Sequence, residues 1–449
     1  MDERLPAGRA LFLAAIAFLA FVAGGWLVAA RIFPGTVIRQ SYSAAAALWA
    51  KDTGYVDRYS QTDHWRPART VARGVTAYVP SAAYPGYTLY TSGDAARAVL
   101  VSMSGRIVHQ WQLPFSKVWN RSAAVRKPRS DALIFWDKAR LLPDGGLLVL
   151  YESAGDTPWG YGMARIDRDS RLDWSFLQHT HHDFDIGPDG RIYVLTNAFT
   201  SRTLPGFDFL ARPRLSDALQ ILSPDGKPLD TIPLTEALAQ SQYHRLLNAI
   251  PQFSLADPLH TNSVQLITPA LAAHFPFGKP GDVLLSFRDL GAIAVLDPQR
   301  RVLTWLLRGS WLGQHDVRLL PDGHLLMFDN LGGYDSGHGP SRALEIDPVT
   351  QQVVWQYSGD VRHPLDSALR GRAQREPNGN TLITEADGGR LVEVTPQGQI
   401  AWEYINPVRG GGHARYLPVL CSGQRIDPQT LTPGFRALLQ GDSHRSSAS

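Results

Sequence analysis

Four histidines stand at comparable places along this chain: His182, His260, His315 and His413. His182-Asp183 and His315-Asp316 are aligned copies, each six residues ahead of the proline of a Pro-Asp-Gly turn. His260 lies in Leu259-His-Thr-Asn-Ser-Val264, and His413 in His413-Ala-Arg-Tyr-Leu417. Counting back equally from the other two turn prolines reaches Asp137 and Gly371. An imidazole can donate, accept a proton or attack as a nucleophile, and a guanidinium offers a fixed fork of donors. Histidines converging beside an arginine would therefore suit an anionic tetrahedral group, and Arg342, which opens the strand that follows the His315 hairpin, is the expected arginine. Three imidazoles also make a common zinc arrangement. The set holds no local His-x-His or His-x-x-x-His pair, so no metal is expected. Individual histidines could instead hydrogen-bond between neighbouring elements, and Asp183 and Asp316 could either orient the rings or cap inner turns.

A recurring phrase must position these residues. Its copies are Arg140-Leu-Leu-Pro-Asp-Gly-Gly-Leu-Leu-Val-Leu150, Phe184-Asp-Ile-Gly-Pro-Asp-Gly-Arg-Ile-Tyr-Val194, Val317-Arg-Leu-Leu-Pro-Asp-Gly-His-Leu-Leu-Met327 and Arg375-Glu-Pro-Asn-Gly-Asn-Thr-Leu-Ile383. Proline presets φ at the start of the turn and glycine accepts positive φ at its end, so each copy reads as a hairpin. Two more strands follow, the last carrying tryptophan, as in Arg342–Ile346 and Gln352–Tyr357. The turns recur at roughly 45 to 55 residues, near the 40 to 50 of propeller blades, and the period-two apolar pattern excludes helical solenoids. Five four-stranded units are legible. A sixth is expected to be split, with strands near 86–111 closed by His413–Leu417, which leaves no exposed edge. The fold class predicted is all-β: a six-bladed β-propeller with a split closing blade. Trp174, Trp305, Trp355 and Trp402 recur at one blade position and read as packing residues between blades.

With 449 residues, 44% hydrophobic and 19% charged, the chain has ample core for one such ring. A formal charge of +3 without basic runs gives no footprint for nucleic acid. Its one cysteine, Cys421, excludes an intramolecular disulfide and is expected as a small apolar residue. Residues 10–30 carry no charge, and about 21 residues at roughly 1.5 Å each span a bilayer core. A retained transmembrane helix fits that length better than a cleaved signal. Arginines flank it on both sides, so charge leaves orientation open. The expected organisation is a short tail at 1–9, an anchor at 10–30, a juxtamembrane helix (within Ser41–Lys51) and spacer at 31–80, the propeller at 81–420 and a C-terminal tail at 421–449.

Leu259–Val264, Gln314-His-Asp-Val317 with Pro321–Asn330, and Ser341-Arg-Ala-Leu-Glu345 resemble the bacterial arylsulfotransferase family, and His181–Asp185 and Pro377–Ile383 add to the likeness. The resemblance covers most of 85–418. It implies a six-bladed propeller of the bacterial periplasm, and with the apolar span the expected location is the bacterial inner membrane, the propeller facing the periplasm or cell exterior. It also implies transfer of a sulfuryl group from a phenolic sulfate ester to a phenolic acceptor, with no phosphoadenosine phosphosulfate, no cofactor and a transiently sulfated channel histidine. Under it His315, His260, Arg342 and His182 are the expected catalytic residues, and Asn262, His413 and Arg372 the substrate-binding ones. A second histidine would protonate the leaving phenolate or deprotonate the acceptor. Aligned by motif, the family's nucleophilic histidine falls in Gly371-Arg-Ala-Gln-Arg375, which has none; His363, His182 or His413 would have to replace it. The competing readings are a non-catalytic tethered propeller that binds an anionic or aromatic ligand or a partner protein, and a quinoprotein-like propeller, suggested by Ile346–Trp355. The latter usually needs eight blades.

Overall fold

The computed structural model describes residues 7–30, 58–59, 62–331 and 341–445. It divides at Asp57 into two units. The first contains an apolar helix, Ala7–Ala29, of 23 residues with no acidic residue in its first turn and no basic residue in its last. Leu11, Phe12, Phe18, Phe21 and Trp26 are all exposed on it. Such a helix is long and apolar enough to cross a membrane. Ser41–Lys51 lies outside the described residues.

The second unit is a six-bladed β-propeller. The second blade runs from Ile134–Leu141 outward through Leu147–Ser153 and Gly160–Ile166 to Leu172–Phe176. Blades three, four and five begin on Thr180–Ile186, Thr261–Leu266 and His315–Leu319 and repeat the four-stranded antiparallel pattern. The sixth begins on Arg372–Arg375 and gains a fifth, outer strand, Gly74–Tyr78, from the segment expected to be spacer.

The hairpin turns form as their residues dictate. Gly145, Gly190, Gly323 and Gly379 all have φ between 79° and 91°. Before each, an Asp or Asn side-chain oxygen takes a backbone N–H two residues on: Asp144 from Gly146, Asp189 from Arg191, Asp322 from His324 and Asn378 from Asn380. Strands second from the axis are buried on both faces, as in Leu147–Ser153 and Leu325–Asp329. Blades sandwich them, so they read as continuous apolar runs, whereas outer strands such as Ile107–Gln112 also carry exposed residues. Tryptophans knit the blades: Trp111 Nε1 donates to Gly145 O, Trp355 Nε1 to Pro396 O and Trp402 Nε1 to Met103 O. Trp402 is completely buried.

Closure differs from the expected pairing. The strand that completes the first blade is Leu420–Ile426, hydrogen-bonded to Tyr87–Ser92. His413 stands just before it, in a short 3-10 turn, Gly412–Ala414, and Tyr416–Pro418 pairs instead with Trp65–Pro67 in a separate two-stranded ribbon. The ring therefore closes beyond residue 420. The helix Pro433–Arg445 follows it, and Phe435 and Leu439 are buried in the core shared by blades one and two. That helix occupies the segment expected to be a tail.

Candidate functional site

Every innermost strand places a residue on one axial cavity of about 230 Å³: Asp137, His182, Asn262, His315 with Asp316, Arg372 and Cys421. Five of the six strands break register at this level, between Trp136 and Lys138, Thr180 and Phe184, Thr261 and Ser263, His315 and Arg318, and Leu420 and Ser422. A bulge re-aims side chains that a regular strand would turn into the neighbouring blade. The backbone is strained accordingly: His182, His260, Asp316 and Arg370 have φ of 57°, 46°, 52° and 62°. Such left-handed conformations cost non-glycine residues of order 1 kcal/mol or more and concentrate at functional sites.

His315 is held in one protonation form. Its Nδ1 lies 2.8 Å from Gly313 O and 2.8 Å from Asn330 Oδ1. The Asn330 amide cannot turn over, because its Nδ2 donates to Ser367 O and Arg370 O, each at 2.7 Å. Two acceptors face Nδ1, so Nδ1 carries the proton and Nε2 keeps its lone pair on a ring that lines the cavity. Burial, reinforced by the Arg288 charge, lowers this imidazole's pKa to about 3. Asn262 Nδ2 and Gln314 Nε2 fix the approach to His315, the first bonding Gln314 O at 2.7 Å and the second Ser286 Oγ at 3.0 Å.

His260 is spoken for at both nitrogens. Arg288 Nη1 donates to Nε2 at 2.6 Å and Nδ1 donates to Asp257 Oδ2 at 2.5 Å. It orients Arg288, whose Nε also bonds Asp289 at 2.7 Å. Trp159 stacks on His260 with ring centroids 5.1 Å apart, and His182 meets the His260 ring edge-on at 5.0 Å. Trp159 Nε1 donates to His182 Nδ1 at 3.4 Å and His181 Nδ1 approaches the same atom at 2.9 Å, which leaves the proton of His182 on Nε2. Burial first, then the neighbouring rings and Arg288, keep His182 well below the usual histidine range, and burial with Arg288 does the same for His260. A second Asp-His-Arg chain faces this one. Arg370 donates to His64 Nε2 at 3.0 Å and to Asp63 Oδ2 at 2.8 Å, and Asp63 Oδ1 lies 2.9 Å from His64 Nδ1.

Below the histidines an ion-pair lattice closes the axis. Arg372 donates to Asp316 Oδ1 at 3.0 Å, His182 O at 3.0 Å and Cys421 O at 3.1 Å, joining four blades. Asp183 receives Lys138 and Arg318 and also the Val264 N–H at 2.9 Å. Burial alone would raise its carboxyl, but Arg318, Lys138 and Arg372 hold it well below the usual carboxylate range. Asp183 and Asp316 therefore tie blades together. Asp316 and Arg372 also line a second cavity of about 350 Å³ beyond the lattice.

The structure brings His182, His260, Asn262, His315 and Arg372 to one cavity. Arg342 is not among the lining residues: its guanidinium is bound by Asp329 Oδ2, Gln356 Oε1 and Ser310 O at 2.9, 3.0 and 2.5 Å. Nor is His413, which is exposed in its 3-10 turn, or His363, which faces Asp360 on an exposed loop. Gly371 sits at φ 117°, and a Cβ there would lie 2.4 Å from the Phe328 ring, so this position admits no histidine. Sequence reasoning missed Arg288, Arg370, Glu152, Trp159, Asn330 and the Asp63-His64 pair. Arg288 alone had a local signal, since it directly follows the hairpin strand that pairs Phe287 with Thr261, beside His260.

No curated protein matches the chain. Among solved structures it is similar to a protein of unknown function from Bacteroides caccae, with 13% identity over 75% of this chain and 99% of that one and a TM-score of 0.46. It is also similar to a catalytically inactive virginiamycin B lyase from Staphylococcus aureus solved with quinupristin, with 11% identity over 76% and 88% of the chains and a TM-score of 0.38. The profile of the family described as Arylsulfotransferase (ASST) matches residues 138–407, which span blades two to six and carry every histidine and arginine of the cavity except His64. With more than half of its length matched, the chain belongs to the arylsulfotransferase family.

Proposed function

We propose that this protein moves a sulfuryl group from a phenolic sulfate ester to a phenolic acceptor in two half-reactions, with His315 as the carrier. The observation that supports this best is the locked His315 ring: neutral, protonated at Nδ1 by two facing acceptors, with the Nε2 lone pair left for attack. Nε2 forms a bond to sulfur as the bond from sulfur to the aryl oxygen breaks. The ring charge that develops is shared by Asn330 Oδ1 and Gly313 O. Arg288, held by His260, and the Nε2–H of His182 face the sulfuryl oxygens, where preorganised donors stabilise developing charge. Trp159 supplies an aromatic wall for the donor ring. A cavity of about 230 Å³ suits a single-ring ester. His260 acts as a positioning residue and Arg372 as part of the cavity floor.

The same reading makes the apolar helix Ala7–Ala29 a membrane anchor and places the propeller in the bacterial periplasm, where no nucleotide sulfate donor is needed. The test uses 4-nitrophenyl sulfate with excess phenol, following nitrophenolate. Release that depends on phenol and disappears in His315→Ala supports the reading. Binding of the ester without release, in wild type and variant alike, contradicts it and favours a ligand-binding propeller.

A further inference from the structure

Sulfuryl transfer needs a proton for the departing phenolate and a place to put the proton of the acceptor. The cavity histidines do not supply it. Burial lowers His315 to about 3 and holds His182, His260 and His64 below the usual histidine range, so all four rings enter the reaction neutral. Each is also engaged: His315 by its nucleophilic role, His260 at both nitrogens, His64 between Arg370 and Asp63, and His182 with Trp159 and His181.

Of the acids that line the cavity, Asp63 pairs with Arg370, Asp137 and Asp316 with Arg372, and Asp156 accepts the Tyr161 hydroxyl, which leaves Glu152 as the candidate proton carrier. It ends the second strand of blade two, opposite Phe135, lines the cavity and is 4% exposed. Its Oε1 accepts the His182 N–H at 2.9 Å and stands 3.8 Å from His182 Nδ1. Among the described residues no Lys or Arg bonds its carboxyl. An ionised carboxylate here would be buried with no cation bonded to it beside a site for an anionic ester, an arrangement that burial and like charge both oppose.

We propose that Glu152 is the proton carrier of the transfer, giving its proton to the departing aryl oxygen in the first half-reaction and taking one from the acceptor hydroxyl in the second. This rests on the sulfuryl-transfer reading above. In the first step Nε2 of His315 bonds to sulfur, the electron pair of the broken S–O bond leaves on the aryl oxygen, and that oxygen takes the Glu152 proton. Neutral phenol departs, the sulfated ring is zwitterionic, and the single negative charge that arrived with the ester rests on Glu152. The second step reverses this with the acceptor, so the buried charge never exceeds what one proton can balance. The environment agrees: burial, and then Asp137 across the strand pair, raise the Glu152 pKa well above the ordinary range. The other groups that face it are the His182 N–H and Arg370, which favour the carboxylate, and Asp63, which opposes it.

A proton donor matters for a basic leaving group and little for a good one. Single-turnover release from phenyl sulfate and from 4-nitrophenyl sulfate is therefore compared in wild type, Glu152→Gln and Glu152→Asp. Glu152→Gln keeps an acceptor for the His182 N–H. It should slow phenyl sulfate by roughly 100-fold, within the usual range for general acid catalysis, and nitrophenyl sulfate by less than about fivefold. Glu152→Asp should recover part of the phenyl sulfate rate, and the alkaline fall of that rate in wild type should vanish in Glu152→Gln. Nitrophenyl sulfate turnover also reports that the variant is folded. Equal losses with both donors, or no loss with either, overturn the role of Glu152 and leave the carrier histidine standing. A wild type inactive with both donors overturns both readings.

Discussion

Replacing Asn330 by alanine removes the lock on His315 without touching the nucleophile. Three hydrogen bonds disappear: Oδ1 to His315 Nδ1 at 2.8 Å, and Nδ2 to Ser367 O and Arg370 O at 2.7 Å each. At about 0.5–1.5 kcal/mol net apiece, in a side chain with no exposure, the loss in stability should be about 2–4 kcal/mol. The kinetic effect is separate. In the sulfated ring Nδ1–H is a charged donor, and a bond to a charged group contributes about 1.5–3 kcal/mol, so sulfation should slow by about 10- to 100-fold while donor binding changes little. Gly313 O stays in place and prevents complete loss. Asn330→Asp keeps an acceptor for Nδ1–H but no donor for the two carbonyls, so it should be at least as unstable as the alanine variant yet faster. Denaturant unfolding and single-turnover nitrophenolate release measure the two quantities. A full wild-type rate in Asn330→Ala, or an aspartate variant as slow as the alanine one, would refute the tautomer argument.

Arg288→Gln removes the guanidinium held by His260 and should lower kcat/KM for the donor by roughly 100- to 1,000-fold, the usual effect of losing one preorganised charge donor; steady-state rates check this. Arg372→Ala, by contrast, should act on the fold. It strips Asp316, His182 O and Cys421 O of a shared partner, and breaking a buried ion pair costs about 3–5 kcal/mol, measurable by equilibrium unfolding. Glu376 lies buried, its Oε1 without a partner among the described residues, and burial raises its pKa to about 8 against the pull of Arg425. Because the folded value exceeds the unfolded one, its stabilising protonation is complete at acid pH. Wild-type stability then falls as pH rises, by up to about 1.4 kcal/mol per unit until the folded group ionises near 8. Glu376→Gln should remove that fall, so its advantage over wild type should widen between about pH 4.5 and 8 in unfolding curves.

The ring and much of its axial wall were legible because they repeat. Pro-Asp-Gly turns placed the hairpins, and a fixed count back from them found His182 and His315. The closing strand escaped because Leu420–Ile426 pairs with Tyr87–Ser92 across most of the chain and has no local turn to announce it; His413, nearer a strand-like stretch, took its place. Arg342 and Arg288 show a second limit. Both border hairpin strands, but Arg342 opens the third strand of its blade and is drawn to Asp329, whereas Arg288 follows the second strand directly opposite the His260 corner. Which strand end faces the axis depends on blade geometry, not on residue type. Glu152 and Asn330 were silent for the same reason. Each lies at the end of a buried strand, where an acid or amide has many possible neighbours, and only the assembled bulges bring one beside His182 and the other behind His315. The Asp63-His64 pair belongs to a segment outside the repeat altogether.

The central claim is that His315 carries the sulfuryl group. Wild-type protein is mixed with an aryl sulfate in the absence of acceptor, quenched, digested and examined by mass spectrometry. The account predicts an adduct with the mass of SO3 on the peptide containing His315, lost when phenol is added before the quench and absent from His315→Ala. An adduct on another residue, or acceptor-dependent turnover that persists in His315→Ala, would contradict it.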